Sequence, residues 1–501
     1  MRTKKALLNV GFNTITQILN IIIMLVMRRT FSNILGDDIL GLNSVYSSIV
    51  SFLTLSELGL SSAVAVALYK PLAEGDEKKT VAHMHFMKRA YVIVGISIIM
   101  LGTFLIPALG LIIKDDYEQY YLATSFELYV FATGLSYFWS YKRTLFEANQ
   151  EAYIISASDG IYKIIVGVGQ ILALYFTESF HIYILVFLLG NVIENMMLSL
   201  LCDYRYPFLK KYKNEYLNSK NVDFIKDKIS GNLCYNISNY IIQGADNIII
   251  SSFLSTTLVA YYNNFTLITN ILYSMFVNIA VSATAGLGNI AYTERRKLML
   301  ISKKLIMVMQ FAFSFSATGF FVLSPFFVKC IFPSSSMMPL SVLALMTLIH
   351  FIRGTAGALE AIRTSVGNYW DRYINIVIAV LNVFLSVIFV KYMGLGGVLV
   401  GTLLCYILKC VIILPYIVFT KIFNNGEGQY FLRLIRNTFF NTAIMASFYI
   451  FTNYIQIDSW QKWFSLGISI FVVTFAINIL LYKNSIEYKE MKQYVLGSFM
   501  K

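Results

Sequence analysis

Arg28 and Arg29 stand side by side where the first long apolar run of the chain ends. A guanidinium is a planar fork of N–H donors that matches phosphate oxygens, so two of them on a cavity wall suit a phosphate or pyrophosphate. The same pair also suits a plainer role, as an anchor whose heads snorkel to lipid head groups. Glu57, Asp159, Lys163, Glu194, Asp246, Arg353, Glu360 and Arg363 fall in or near other apolar segments. Facing lipid would cost each of them about 2.5–3.5 kcal/mol, so they belong in a bundle interior or a wet cavity. Lys163 and Arg353 join the arginine pair, with Glu57, as candidates for contact with a charged substrate. Glu57 and Asp246 are candidates for ion coupling, because an intramembrane carboxylate can change protonation. Asp159 and Lys163, four residues apart on one helix face, can instead pair with each other. Arg353, Glu360 and Arg363 also share a face, with Arg363 expected at an interface as an anchor. Asn43, Asn263, Asn264 and Asn278 suit sugar hydroxyls, and Tyr46, Tyr69, Tyr137, Tyr141, Tyr261 and Tyr262 suit the apolar face of a sugar ring. Hydrogen bonding between helices is an equally good use for such side chains.

The elements that must hold these groups are transmembrane helices. The 501 residues are 57% hydrophobic and only 13% charged, with a mean hydropathy of +0.66. A soluble chain of that composition would expose large apolar patches. Fourteen apolar segments are counted, at about 8–27, 42–68, 90–113, 121–141, 153–176, 180–202, 230–253, 257–285, 304–328, 337–358, 373–391, 395–419, 434–453 and 462–482. The expected fold class is therefore all-α and polytopic. The basic start MRTKK precedes an apolar run with no small-residue cleavage site, which predicts an uncleaved first span. The net charge of +13 is assigned to loops and anionic lipid head groups rather than to nucleic acid. Cys202, Cys234, Cys330, Cys405 and Cys410 show no CxxC spacing and are expected as free thiols. His83 and His85 are expected on a solvated loop rather than at a metal. No nucleotide-binding loop, zinc-protease or nucleophile-elbow motif is present, and no cofactor is expected.

Basic residues give the orientation. With the N-terminus inside, cytoplasmic segments hold 31 Lys and Arg, outer segments hold six, and three lie within spans. Both termini are thus expected in the cytoplasm. The longest loop, a basic stretch at 204–229, separates six spans from eight. A shift of 219 residues lays Asn13 on Asn232, Asn20 on Asn239, Leu35 on Leu254 and Ile49 on Ile268. Both halves start inside, so the repeats are parallel, related by an axis along the membrane normal. The expected organisation is a six-helix lobe at 1–203, the linker, a second six-helix lobe at 230–420 around a central cavity, and helices 13 and 14 with a tail at 421–501.

Several stretches carry a resemblance in their order and spacing: RTKKALLNVGFNTITQ from Arg2, RTFSNILGDDILGLN from Arg29, LTLSELGLSSAVAVALYKPLAEGD from Leu53, GADNIIISSFL from Gly244, AYYNNF from Ala260, RTSVGNYWDRY from Arg363 and GLGGVLVGT from Gly394. Together they resemble bacterial polysaccharide repeat-unit flippases of the Wzx type, in the multidrug/oligosaccharidyl-lipid/polysaccharide exporter superfamily. The resemblance is densest in the first 90 residues. It implies two six-helix lobes around a cavity and an undecaprenyl-pyrophosphate-linked oligosaccharide as cargo, carried from the inner to the outer leaflet of the bacterial cytoplasmic membrane for capsule or other surface polysaccharide. In related lipid II flippases, cavity arginines hold the pyrophosphate and spans thirteen and fourteen form a groove for the lipid tail. No motif here maps those arginines one to one; Arg28, Arg29 and Arg353 are candidates from their own chemistry. The expectation is a monomeric, non-enzymatic flippase working by alternating access beside the polymerase and glycosyltransferases of its pathway. The rivals are a lipid II or teichoic-acid-precursor flippase, a drug/cation antiporter, whose cavity should be acidic or apolar, and a membrane polymerase, which needs a catalytic outer loop that is not visible.

Overall fold

The computed structural model describes residues 2–57, 60–212, 215–217, 237–238, 240–242, 244–291, 294–332, 337–368, 370–424, 428–454 and 456–499. Asn232 and Asn239, on which the internal repeat leans, lie outside them, as does most of the 204–229 linker. Among the described residues, helix occupies all fourteen apolar segments. Ten helices among the described residues are long and apolar enough to cross a membrane. In lipid every backbone N–H and C=O must be satisfied within the segment, and helices do this. The chain is a polytopic all-α membrane protein.

It divides into two compact units, Met1–Ala260 and Tyr261–Lys501. The seventh apolar segment therefore falls in the first unit. The first unit is built on helices Arg2–Leu35, Asp37–Leu53, Leu60–Glu74, Glu77–Leu105, Gln119–Ser140, Ala152–Thr177 and Phe180–Arg205. The second is built on the rest of Thr256–Ala291, then Arg295–Ile331, Leu340–Val366, Arg372–Met393, Leu395–Tyr406, Gly428–Tyr454 and Trp460–Tyr482.

Two departures from regular helix position charge. The expected span at 42–68 is not continuous. The Asp37–Leu53 helix tightens into a 3₁₀ turn, Thr54–Glu57, and a new helix starts at Leu60. Ser51 Oγ donates back to the Ser47 carbonyl at 2.7 Å and Thr54 Oγ1 to Ser51 at 2.9 Å. Such back-bonding competes with the helix ladder and bends it. The break brings Glu57 into the turn. In the second unit the segment after Tyr406 winds as π-helix over Ile407–Ile413 and again over Tyr416–Ile422, on either side of Pro415. Proline lacks the N–H the ladder needs, so the chain widens around it. This stretch carries the buried Lys409.

Close helix packing sets the tyrosines of the first unit. Glu77–Leu105 starts at Asp76, whose carboxylate accepts from the Lys79 N–H at 3.0 Å. Further along, a Cβ built on Gly95 would lie 2.6 Å from the Gly134 carbonyl oxygen, and one on Gly134 would lie 2.5 Å from Ile99. Small residues let two membrane helices approach this far. One turn from that contact, Tyr91 and Tyr137 bring their rings to 5.5 Å. Gly95→Val is therefore expected to cost about 1–3 kcal/mol through overpacking. Gly319→Ala, whose added Cβ meets nothing within 4 Å, is expected to cost nothing. Thermal unfolding of the two purified variants checks this, and equal midpoints would refute the packing argument.

Candidate functional site

Glu57 is the centre of a polar network in the first unit. The Tyr91 hydroxyl donates to its Oε1 and the Tyr137 hydroxyl to its Oε2. A carboxylate with a donor on each oxygen is tolerable away from water, where a bare one is not. The network continues along the next helix. Ser61 Oγ shares a hydrogen bond with Thr144 Oγ1 at 3.1 Å and donates to Glu147 Oε2 at 3.5 Å. Glu147 in turn lies within electrostatic reach of both Glu57 and Arg143. Arg143 then spends its whole fork: Nη1 on Asp159 at 2.7 Å, Nη2 on Glu194 at 3.0 Å, and Nε on Asn195 Oδ1 at 2.9 Å. A chain of polar groups thus runs from the helix break at Glu57 to the Ala152–Thr177 and Phe180–Arg205 helices.

That assignment corrects one alternative. Asp159 pairs with Arg143 and not with Lys163. Lys163 is exposed and lines a cavity of about 670 Å³ between the Arg2–Leu35 and Ala152–Thr177 helices. Gln17, Asn20, Asp159 and Gln170 share that wall. The Asn20 side-chain oxygen there is buried with no hydrogen-bond partner. The lining thus combines an ammonium, amides and a carboxylate that shares Arg143 with Glu194, set among apolar side chains such as Met24, Met27 and Phe187.

The two N-terminal arginines do not form one fork. Neighbouring residues on a helix point about 100° apart. Arg28 is half-buried and its Nη2 donates to the Ala260 carbonyl at 3.2 Å, whereas Arg29 is exposed. Their helix runs on without a break to Leu35 and turns at Gly36, whose φ of +91° admits few other residues. Asp246 is buried, and the neighbouring Asn247 donates to Ser48 Oγ at 3.0 Å.

In the second unit Arg353 lays its guanidinium on the face of Tyr273, 3.8 Å from the ring centroid, and Nη1 reaches Asn270 Oδ1 at 3.4 Å. Both partners are neutral, so the cation keeps its charge. Glu360 meets Lys409 at 3.5 Å. Arg363 is not an interfacial anchor. It is fully buried and pairs with the equally buried Asp371 at 2.7 Å, with Asn375 Nδ2 on the same carboxylate oxygen at 2.7 Å. Asn264 is buried and Asn263 half-buried. Tyr46, expected at a cleft, is core: it is fully buried, and its hydroxyl donates to Leu122 O at 3.2 Å. A second cavity, of about 340 Å³, is lined by Lys303, Gln310, Tyr430, Arg433 and Tyr482.

The partners that sequence reasoning missed are Tyr91, Arg143, Asp371 and Lys409. Arg143 had a signal. A two-residue Lys142–Arg143 loop between spans is too short to reach far from the helix ends, and here both side chains turn inward, Lys142 to Asp203 at 2.5 Å.

Neither a protein-family model nor a curated protein matches the sequence. Solved structures do. The lipid II flippase MurJ, in an inward closed conformation, is matched with a TM-score of 0.70 over 95% of this chain and 99% of that one, at 15% identity. An inward-facing multidrug resistance MATE family transporter of the MOP superfamily gives 0.62 over 77% and 93%, also at 15% identity. A MOP superfamily transporter from Pyrococcus furiosus, described as having a binding pocket of reversed polarity, gives 0.53 over 81% and 92%, again at 15%. The chain has the fold of these transporters. At that identity the likeness is one of fold. It covers nearly the whole of both chains in the first case, so this one fold accounts for both units and for the helices after residue 428.

One ion pair outside the spans gives a pH test of this assignment. Glu487 accepts from Arg433 Nη1 at 3.1 Å beside the second cavity. Burial pushes the Glu487 carboxyl up, but its own backbone N–H and Arg433 outweigh this and leave it below the ordinary 4.5. A lowered carboxyl contributes stability that is whole above pH 4.5 and is lost as pH falls through the lowered value. The wild-type thermal midpoint should therefore drop on acidification below that point. Glu487→Gln should lose part of this acid limb, to which the lowered Asp76, Glu151 and Asp458 also contribute, and an unchanged slope in the variant would refute the pairing.

Proposed function

We propose that this chain is a flippase that moves undecaprenyl-pyrophosphate-linked oligosaccharide repeat units from the inner to the outer leaflet of the bacterial cytoplasmic membrane. The observation that carries the reading is the fold of a lipid II flippase along 95% of the chain. The sequence motifs that resemble Wzx-type flippases move the cargo from a peptidoglycan precursor to a surface polysaccharide precursor. The transport cycle is alternating access, and both termini face the cytoplasm. The protein makes no covalent change to its cargo.

The charged groups have roles in that cycle. Lys163, on the wall of the first-unit cavity, and Arg353, held on Tyr273, attract the pyrophosphate. Arg29 is an exposed supporting cation, and Arg28 is more a structural tie than a ligand. The half-buried Asn263 is a hydrogen-bonding group for sugar, and the buried Asn264 supports the same helix. Glu57 is the coupling carboxylate, because proton uptake there would turn one oxygen into a donor and make Tyr91 or Tyr137 an acceptor, which rearranges the hydrogen bonds between the Glu77–Leu105 and Gln119–Ser140 helices. Asp246 is the second coupling candidate. Anionic lipids and the polymerase and glycosyltransferases of the pathway are the proposed partners.

Two further readings have specific support. The MurJ likeness favours lipid II or a teichoic-acid precursor as cargo equally well at the pyrophosphate. The MATE likeness favours a drug/cation antiporter, against which the basic groups at Lys163 and Arg353 speak. The experiment is export of fluorescent lipid-linked oligosaccharide in proteoliposomes, with lipid II and a cationic dye as competitors. Wild-type protein should translocate the oligosaccharide. Lys163→Ala and Arg353→Ala should each slow it roughly tenfold, from loss of one charge-assisted contact of about 1.5–3 kcal/mol. Deletion in cells should leave lipid-linked repeat units in the inner leaflet. Transport of the dye alone would overturn the reading.

A further inference from the structure

The cytoplasmic end of the Glu77–Leu105 helix carries two adjoining cavities that the transport reading does not use. One, of about 490 Å³, is lined by His85, Lys88, Arg89, Val92, Ile93 and Tyr216. The other, of about 160 Å³, shares His85 and Lys88 and adds Lys142, Asp203 and Lys210. The wall opposite the helix is the segment that folds back after the Phe180–Arg205 helix. Tyr216 lies under the Arg89 guanidinium at 4.7 Å, and the Glu215 carbonyl bonds His85 Nδ1 at 3.0 Å. Of the basic groups, Lys142 and Lys210 share the single carboxylate of Asp203, at 2.5 and 3.6 Å. Among the described residues neither Lys88 nor Arg89 pairs with a carboxylate, so the groove is net positive.

The feature that names the occupant is what lies next along the helix. From Arg89, positions 93, 96, 100 and 104 fall on one face. They are Ile93, Ile96, Met100 and Phe104, all large, apolar and exposed, Ile93 at 65% and Phe104 at 81%. This helix is among the spans long and apolar enough to cross the bilayer. An exposed apolar stripe on such a helix faces acyl chains, and it leads directly into a basic pocket at its end. We infer that this groove binds one anionic phospholipid of the leaflet on that side, with its phosphate in the cavity that the Lys88 and Arg89 side chains both line and its acyl chains along Ile93, Ile96 and Met100. Charge complementarity selects an anionic head group, and the continuity of pocket and stripe selects a lipid over a free anion. The inference rests on this helix crossing a membrane and not on the identity of the cargo.

The test uses full-length protein in nanodiscs and reads thermal stabilisation as phosphatidylglycerol replaces phosphatidylcholine. Wild type should gain stability with phosphatidylglycerol. Lys88→Gln with Arg89→Gln should weaken the apparent affinity roughly 30-fold, the expectation for two basic residues at a charged surface. A control removing two exposed lysines elsewhere, Lys70→Gln with Lys329→Gln, should behave as wild type. Tyr216→Ala keeps every charge and should weaken binding several-fold by removing one wall. The double variant's elution profile and its midpoint in pure phosphatidylcholine show that it is folded. Should it prove unfolded, the Tyr216→Ala result decides: unchanged affinity there overturns the site. Equal weakening in the lysine control would make the effect one of bulk charge and overturn the site too. Equal stabilisation by millimolar inorganic phosphate would make it a free-anion site and overturn the lipid.

Discussion

A charge set within an apolar segment must be given partners, and in this fold the half-buried Glu57 carboxylate shows what that demands. Its two oxygens take one phenol each, from Tyr91 and Tyr137. For both hydroxyls to arrive, their helices must approach as closely as Gly95 and Gly134 allow. For the carboxylate to be met, its own helix must stop and turn at Thr54–Glu57. Irregular backbone at membrane depth persists only where it is buried in protein or lines a cavity. The break, the glycine contact and the two tyrosines are thus one device. Removing either phenol leaves the half-buried carboxylate one charge-assisted donor short, a loss of up to about 1.5–3 kcal/mol.

The second unit solves the same problem by pairing. Arg363 with Asp371 and Lys409 with Glu360 are each matched cation to acid. Buried pairs of this kind often add little net stability compared with apolar residues, but losing one partner is costly. They hold the Leu340–Val366 helix to the segments that follow it in the chain. Arg353 stands apart. It sits on the same helix, yet its direct contacts are a ring face and an amide, with Glu360 in electrostatic reach rather than paired.

The helices were legible because the bilayer imposes one length and one composition on every span. Fourteen apolar segments in the sequence meet helix in the structure. That charges such as Glu57, Glu194 and Asp246 turn to the interior was legible for the same reason. What was not legible is which charge meets which. Asp159 and Lys163 have ideal spacing for a local pair, but Arg143, sixteen residues away in sequence, takes the carboxylate because two further acceptors, Glu194 and Asn195, converge on the same fork. Arg28 and Arg29 read as a pair only while the helix is ignored; its twist sends one inward and leaves the other exposed. The break at Glu57 left only weak marks in sequence, serine and threonine side chains that bend a helix just as readily without ending it.

These placements bear on the sign of the cargo. A transporter of organic cations needs an acid with a free face. Glu57 has both oxygens occupied by phenols, Asp159 and Glu194 are taken by Arg143, and Glu360 and Asp371 are matched to Lys409 and Arg363. The interior acids are therefore largely committed. The groups that keep charge to offer are cations, Lys163 on a cavity wall and Arg353 on its tyrosine. A carboxylate held by two neutral donors does retain one capacity, to take a proton and turn one phenol from donor to acceptor. Under the proposed function these cations meet the anionic cargo and the Tyr91–Glu57–Tyr137 network takes up the proton, whereas a cationic cargo would require one of these acids to be released from its partners.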